Sequence, residues 1–532
     1  MTSSSSSSAE PPRKKRRRND ESYNAQRQEQ ISRATAYMIS ANGLPISFVE
    51  SIGFKHFMSV VEPNYKVPVA STILSRLQFL YNQVHDKIKN AIGPVSFVAL
   101  TTDGWSSRAQ DSFISVTLHY VNDDWELKNF TLCAEYMEER HTAENLALIL
   151  EMVIAEWDLQ GKVSAVVTDN AANVVASVRY VEEIQSSYCC AAHTLQICIK
   201  RSLQSVQAYQ IILKKASTLV SHFHHSNLAA SELSRKQLQL GLKDLKLIQS
   251  CPTRWSSSYF MCERLIANRA AVLAVLADRT VTSSSLALKL EINEREWTLL
   301  EELTRILKPF QVATTILCQE NVTISILRPI INGLINKHLV ITDDDDENTV
   351  SFLEMMKTNL RQRFKMGEEI VNEVLTEQIS SFLDPRHKNL EAECEIMRDV
   401  VRSHVRNLIK DISPNENEQI ANEQRSAMDF LLKAKSTNEP LNEFDRYLRE
   451  PQIDYNVSEP LMWWKNNETK YPSLALLAKK ILCIPATSVS SERCFSAAGN
   501  VVSSKRASLL PENVSLLTFL MRNQKLLQIS DN

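Results

Sequence analysis

The sequence predicts an α/β fold in which a mixed sheet is laid down first and a long all-helical stretch follows. Three observations carry this. Three β-rich runs, "VSFVALTTDGW", "SFISVTLHYV" and "WELKNFTLCAEYM", follow one another across short gaps such as "NDD", which implies an antiparallel meander. The helix-length segment "HTAENLALILEMVIAEW" then separates them from the apolar run "KVSAVVTD", and a strand, helix and strand of that size imply a crossover, hence a mixed sheet rather than a sandwich. From about Met261 to Glu450 the strand signal fades, and amphipathic patterns such as "EREWTLLEELTRILKPFQVATTIL" take over.

The elements follow in order. "MTSSSSSSAEPPRKKRRRND" joins a serine run to six consecutive cations, Arg13, Lys14, Lys15, Arg16, Arg17 and Arg18. Such a composition cannot bury a core, so residues 1–28 are expected to form a disordered basic tail. The charge run reads as a nuclear import signal or a nucleic-acid arm, and equally as a plain solvated tail. Over 29–94, "ISRATAYMISANGLPISFVESIGFKHFMSVV" carries apolar residues at three- and four-residue spacing, broken by Gly43 and Pro45, and predicts a small helical entry region.

Residues 95–260 contain the strands. Leu146, Ile149, Leu150, Val153 and Ile154 make the apolar face of the crossover helix, "NAANVVASVRYVEE" reads as helix, and "SYCCAA" is a fifth strand-like piece leading into "HTLQICIKRSL". The predicted order is βββαβαβα. The helical block spans 261–455, with "DDDDE" at Asp343 to Glu347 as a solvated loop, and 456–532 runs from "LMWWKNNETKYPSLALLAKKIL" to "LLPENVSLLTFLMRNQKLL".

Composition narrows the class. A chain of 532 residues with net charge −2 should divide into two or three compact regions, since single cores stop growing at about 250–300 residues. Its 44% hydrophobic and 23% charged residues are those of a soluble globular protein. No apolar run approaches the roughly 20 residues of a membrane span, and no secretory segment is evident. Ten cysteines, from Cys133 to Cys494, lie mostly in apolar periodic segments, as expected of reduced thiols in a cytosolic or nuclear protein.

Two aspartates mark a candidate site. Asp103 ends the first strand in "ALTTDGW" and Asp169 ends "SAVVTD". Open α/β sheets bind ligands at that edge, and two adjacent carboxylates repel unless a cation neutralises them. Mg²⁺ takes one or two carboxylates and completes its shell with water and phosphate oxygens, so a divalent metal and a further carboxylate are expected. Each Asp also has a simpler explanation: Asp103 before Gly104 is good turn chemistry, and Asp169 can cap the following helix.

Three more groups stand out. Cys190 and His193 form a Cys-x-x-His pair, but a structural zinc site gathers four ligands and the second pair is missing, so no zinc site is expected. "TRWSSSYF" sets Arg254, Trp255 and Tyr259 together, a cation beside aromatics, as stacking on an extruded base requires; a Trp there is also ordinary core. Trp463, Trp464, Phe495, Leu516, Leu517, Phe519 and Leu520 crowd the C-terminal segment with apolar surface that needs a packing partner, either a second copy or the rest of the same fold.

Taken in order, "LTTDGWSS", "VVTDNAANV", "CCAAHTLQIC", "CPTRWSSSYFMCERL", "FLDPRHK" and "IPATSVSSERCFSAAGNVVSSKRASLLPENVSLLTFL" resemble the motif series of hAT-superfamily transposases and the BED-finger proteins derived from them, from about Ala34 to Leu527. The resemblance implies an RNase H-like domain interrupted by a large helical insertion and ending in a dimerisation region. It makes Asp103 and Asp169 the first two members of an Asp-Asp-Glu metal triad, and Glu492, in "SSERCFS", the third. It places Cys190 and His193 near the site, a base-stacking Trp at Trp255, and the C-terminal apolar residues at a dimer interface. A nuclear, DNA-binding homodimer with a Mg²⁺- or Mn²⁺-dependent strand-transfer site is then expected, or a domesticated, catalytically idle DNA-binding or transcription-regulating dimer, some relatives being described as SUMO ligases. The sequence departs from the family at one point: no cysteine precedes Cys133 to ligate the zinc of a BED finger.

Overall fold

In the computed structural model, residues 14–106, 112–367, 373–412, 442–455, 459–501 and 510–527 are described. Three helices come first, α1 (Lys14–Asn42), α2 (Ile52–Val61) and α3 (Ala70–Ile92). Strands β1 (Val98–Ser106), β2 (Ser112–Val121) and β3 (Leu127–Met137) follow, then α4 (Ala143–Glu156), β4 (Val163–Thr168), α5 (Ala172–Ser177), β5 (Ser187–Cys189) and α6 (Ala191–Ser205). The strands form one sheet in the order β3-β2-β1-β4-β5, antiparallel among β1, β2 and β3 and parallel from β1 to β4 and β5. This is the mixed sheet that the meander and crossover predict.

No strand follows Cys189 among the described residues. Helices α7 (Gln207–His225), α8 (Asn227–Gln239), α9 (Trp255–Ala267), α10 (Arg269–Ala277), α11 (Ser284–Leu290), α12 (Glu294–Leu317), α13 (Leu327–Gly333), α14 (Glu347–Arg363), α15 (Thr376–Leu383) and α16 (Glu395–Ile412) build the helical block. The chain returns through α17 (Glu443–Arg449), α18 (Pro460–Asn467), α19 (Pro472–Leu482), α20 (Val489–Val501) and α21 (Pro511–Arg522).

Side chains alternate across each strand, so the sheet serves two cores. Val98, Leu100, Val163 and Val166 join a cluster with α4 (Leu150, Val153, Ile154), α3 (Leu77, Ile88) and α21 (Leu517, Leu520). Ala99, Ala165 and Val167 join a larger cluster with Leu195, Cys198 and Ile199 of α6, which continues into the helical block. Edge strand β3 is covered by α21, whose C-cap Asn523 behaves like a peptide group: its Oδ1 accepts from Thr131 N–H at 3.1 Å and its Nδ2 donates to Thr131 O at 2.9 Å. The outward-facing donor and acceptor of Thr131 on this edge are thereby satisfied.

Two expectations need correction. Residues 14–28 are not a disordered tail, because α1 runs back to Lys14. The Lys, Arg, Glu and Gln there are good helix formers, and a helix can extend from a folded anchor without a core of its own. Arg13 lies outside the described residues.

The C-terminal apolar residues are covered by their own chain. Leu516, Leu517, Phe519 and Leu520 are buried against the first core, with the Phe519 ring 4.5 Å from that of Tyr81 on α3. Trp464 is buried and stacks on Trp125 of the β2–β3 hairpin, and its Nε1 donates to Leu383 O at 2.8 Å. Trp463, partly buried, packs on Tyr447 and Tyr471, and Phe495 lies against Trp105. Trp464, Leu516, Leu517, Phe519 and Leu520 are therefore occupied within the chain, whereas Trp463 and Phe495 keep part of their surface exposed. The covering surface comes from α3 and the hairpin, far away in sequence. We expect Phe519→Ala to cost about 3–5 kcal/mol of unfolding free energy in urea titration, as removal of a buried aromatic does; a loss typical of a surface position would contradict this packing.

Candidate active site

β1 and β4 are parallel neighbours, paired Ala99↔Ala165, Leu100↔Val166 and Thr101↔Val167. Continued two residues, past the end of β4 at Thr168, this register leads to Asp103 and Asp169, and the charge of Asp169 acts on Asp103. Asp103 does not end its strand as the sequence suggests. β1 continues to Ser106 because β2 still pairs with it, Asp103 opposite Ser115, while β4 stops at Thr168. Asp169 partly fulfils the capping expectation: its Oδ1 accepts from Ala171 N–H at 3.0 Å, but the N-cap of α5 is Ala171 itself.

Glu492 lies in the first turn of α20 and is brought back by backbone threading. Ala191 N–H, at the start of α6, donates to Ala486 O at 3.1 Å, and Ile324 N–H donates to Ile484 O at 2.9 Å. The turn then locks onto the sheet through Ser491, whose Oγ lies 2.7 Å from Thr101 Oγ1 across 390 residues of sequence. Ser115 Oγ donates to Ser491 O at 3.3 Å, and Thr101 continues the ladder to Thr117 and His119. Thr101 and Ser115 flank Asp103 on the same face, so Glu492 is delivered to the rim where both aspartates stand.

Asp103 records this gathering. It is 8% exposed, and its pKa is pushed up to about 8, by burial first and then by the charges of Asp169 and Glu492, against a hydrogen bond from Gly104. The donors are all hard carboxylate oxygens, which suit Mg²⁺ or Mn²⁺ rather than a thiophilic metal. The trio does not close on a single point: among the described residues, no three His, Cys, Asp or Glu side chains gather tightly enough to share one ion. Mg²⁺ needs only one or two carboxylates, so the Asp103–Asp169 pair fits it, with Glu492 alongside.

The other sequence candidates divide. Trp255 and Tyr259 are 4% and 3% exposed in the first turns of α9 and belong to the core with α7 and α12, so their rings cannot stack on a base without leaving it. Arg254, the N-cap of α9, remains exposed. Cys190 is buried at the start of α6, its thiol pKa raised by burial despite contacts to Ser488 and His193. His193 is half-buried in the first turn of α6. All ten cysteines are unpaired.

Sequence reasoning missed Trp105. It is two residues from Asp103 on the same strand face, half-buried, stacked on Phe113 at 4.7 Å and 5.6 Å from Phe495 of α20. Its signal was the period of two counted from Asp103 in "DGW".

The strand order, the helical interruption and the acids at the rim define an RNase H-like fold with a helical insertion. Residues 101–194 match the ZBED1 RNase-like domain, 188–306 the ZBED1 RNase-like helical domain, and 443–524 the hAT family C-terminal dimerisation region. The chain is 25% identical to "Putative AC transposase" of Zea mays over 518 residues, 89% of this chain and 62% of that protein. It is 24% identical to human "Zinc finger BED domain-containing protein 4" over 94% of this chain and 44% of that one, and 25% identical to "Putative transcriptional regulator tpeD" of Talaromyces stipitatus over 92% and 61%. The chain thus spans less than two thirds of each of these relatives. These matches support a hAT-type, transposase-derived protein, with residues 443–524 similar to the hAT family's C-terminal dimerisation region. Among the described residues, no helix is long and apolar enough to cross a membrane.

The raised pKa of Asp103 has a definite sign. A folded pKa of about 8 against an unfolded value near 4 means that the folded state holds a proton which the unfolded state has lost, so this carboxyl's contribution to stability is intact below pH ~4 and declines until pH ~8. In chelator, Asp103→Asn should therefore gain stability over the wild type as pH rises from 4 to 8; parallel pH profiles of the two melting temperatures would contradict the placement of the trio.

Proposed function

We propose that the chain is a nuclear, DNA-binding hAT-type dimer whose Asp103, Asp169 and Glu492 form a Mg²⁺- or Mn²⁺-dependent DNA strand-cleavage and transfer site. The observation that carries this is Asp103, a buried carboxyl facing two further carboxylates at the carboxyl edge of the parallel strands. When bound there, a divalent cation would neutralise the charge of an attacked phosphate and activate its nucleophile.

The chain's own residues do the rest. Asp103 and Asp169, set side by side on neighbouring strands, hold the cation from the sheet, and Glu492 approaches from α20. Trp105, two residues beyond Asp103 on β1, and Phe495, three beyond Glu492 on α20, are half-buried and would offer a ring face to a base beside the scissile phosphate, a role that buried Trp255 cannot fill. Arg254 is placed to meet phosphate at the surface. The dimerisation region suits an enzyme acting on two DNA ends.

A second proposal, a catalytically idle DNA-binding regulator, is favoured by one observation: the trio is not gathered tightly enough to share an ion. The relative named as a putative transcriptional regulator belongs with it.

Strand cleavage of hairpin-competent DNA ends separates the two. We expect Mg²⁺- or Mn²⁺-dependent cutting that falls more than about 100-fold in Asp103→Asn and in Glu492→Gln, since residues merely supporting a metal ligand are worth about 10–100-fold. Cutting indifferent to Glu492→Gln removes that residue from the site, and DNA binding without any cutting favours the regulator. Deleting Arg13 to Arg18 should abolish nuclear accumulation of a fluorescent fusion; unchanged accumulation dismisses the import role.

A further inference from the structure

The first turn of α20 is held from two sides. Ser491 ties it to the sheet through Thr101 and Ser115. Arg493, on the other side of Glu492, reaches into the helical insertion: its Nη1 pairs with the Glu320 carboxylate and its Nη2 donates to Cys318 O at 3.1 Å. Cys318 is the C-cap of α12, a helix of 24 residues, and Thr487 Oγ1 donates to Leu317 O at 3.3 Å on the same helix end. Burial lifts the Cys318 thiol to about 12, against the nearby charge of Arg493.

Successive residues of an α-helix point about 100° apart, so fixing positions 491 and 493 on different partners fixes the direction of 492 between them. The Arg493–Glu320 pair is half-exposed, with side-chain exposures of 36% and 48%, and such pairs add little to stability. Fold maintenance is therefore a poor account of it. We propose that Arg493 is a positioning residue: through Glu320 and Cys318, the end of α12 sets the direction in which Glu492 faces Asp103 and Asp169, and so couples the helical insertion to the acid site. This rests on the trio being a cation site.

The test measures Mn²⁺ binding by electron paramagnetic resonance, the melting temperature, and kcat and KM for strand cleavage. Arg493→Gln and Glu320→Gln should leave the melting temperature almost unchanged, weaken Mn²⁺ binding and lower kcat by about 10–100-fold, and leave KM for DNA as it was. Arg493→Lys, which keeps the charge but not the planar fork, should fall between. Wild-type Mn²⁺ affinity in both Gln variants, or a drop in melting temperature that accounts for the loss, overturns the proposal. Asp103→Asn runs alongside: if it too leaves Mn²⁺ binding intact, or the wild type binds none, the cation site itself fails and the positioning role with it. If Asp103→Asn abolishes binding while the Gln variants do not, only the positioning role falls.

Discussion

The docking of one helical turn on the sheet governs the rest of this molecule. Ser491 meets Thr101 and Ser115, and the ladder continues through Thr117 to a fully buried His119. Buried hydroxyls and imidazoles carry a large penalty when unpaired, so this ladder is directional in a way that apolar contact is not. A slip of α20 by one residue would turn Ser491 away from Thr101 and rotate Glu492 off the rim. Apolar packing brings the segment back; the polar ladder selects its register.

The same arrangement places like charges together. Asp103 is buried beside a second carboxylate and within reach of the field of a third, an unfavourable arrangement that folding alone would not select. Local cost of this kind is tolerated where surrounding packing over-determines the structure. Here the surroundings are extensive: α3 and α21, from opposite ends of the described chain, enclose one face of the sheet, and α6 with the helical block encloses the other. The apolar residues of the hAT dimerisation region are largely consumed in this enclosure. Pairing of two copies thus calls on surface other than the residues that crowd the sequence.

Period-two runs, a helix of crossover length and a run of amphipathic patterns were enough to order the strands and to anticipate the sheet's mixed character. Asp103 and Asp169 were legible for a related reason: each sits at a fixed count from an apolar strand, and register follows from pattern. Burial within helices was not legible. Trp255 beside Arg254 looks like a nucleic-acid contact in one dimension, because adjacency of a cation and a ring says nothing about which side of α9 faces the core. Trp105 was overlooked for the opposite reason, its significance depending on Phe495, a residue of another helix.

Local pattern and chain chemistry were therefore sufficient for the element order from β1 to α6, the antiparallel meander and the mixed character of the sheet, since hydrophobic periodicity and turn residues act over a few neighbours. The return of Glu492, the cover over Phe519 and the anchoring of Arg493 to Glu320 depended on long-range packing. These contacts join segments separated by hundreds of residues, and their geometry arises from the simultaneous burial of many side chains, which no short stretch encodes.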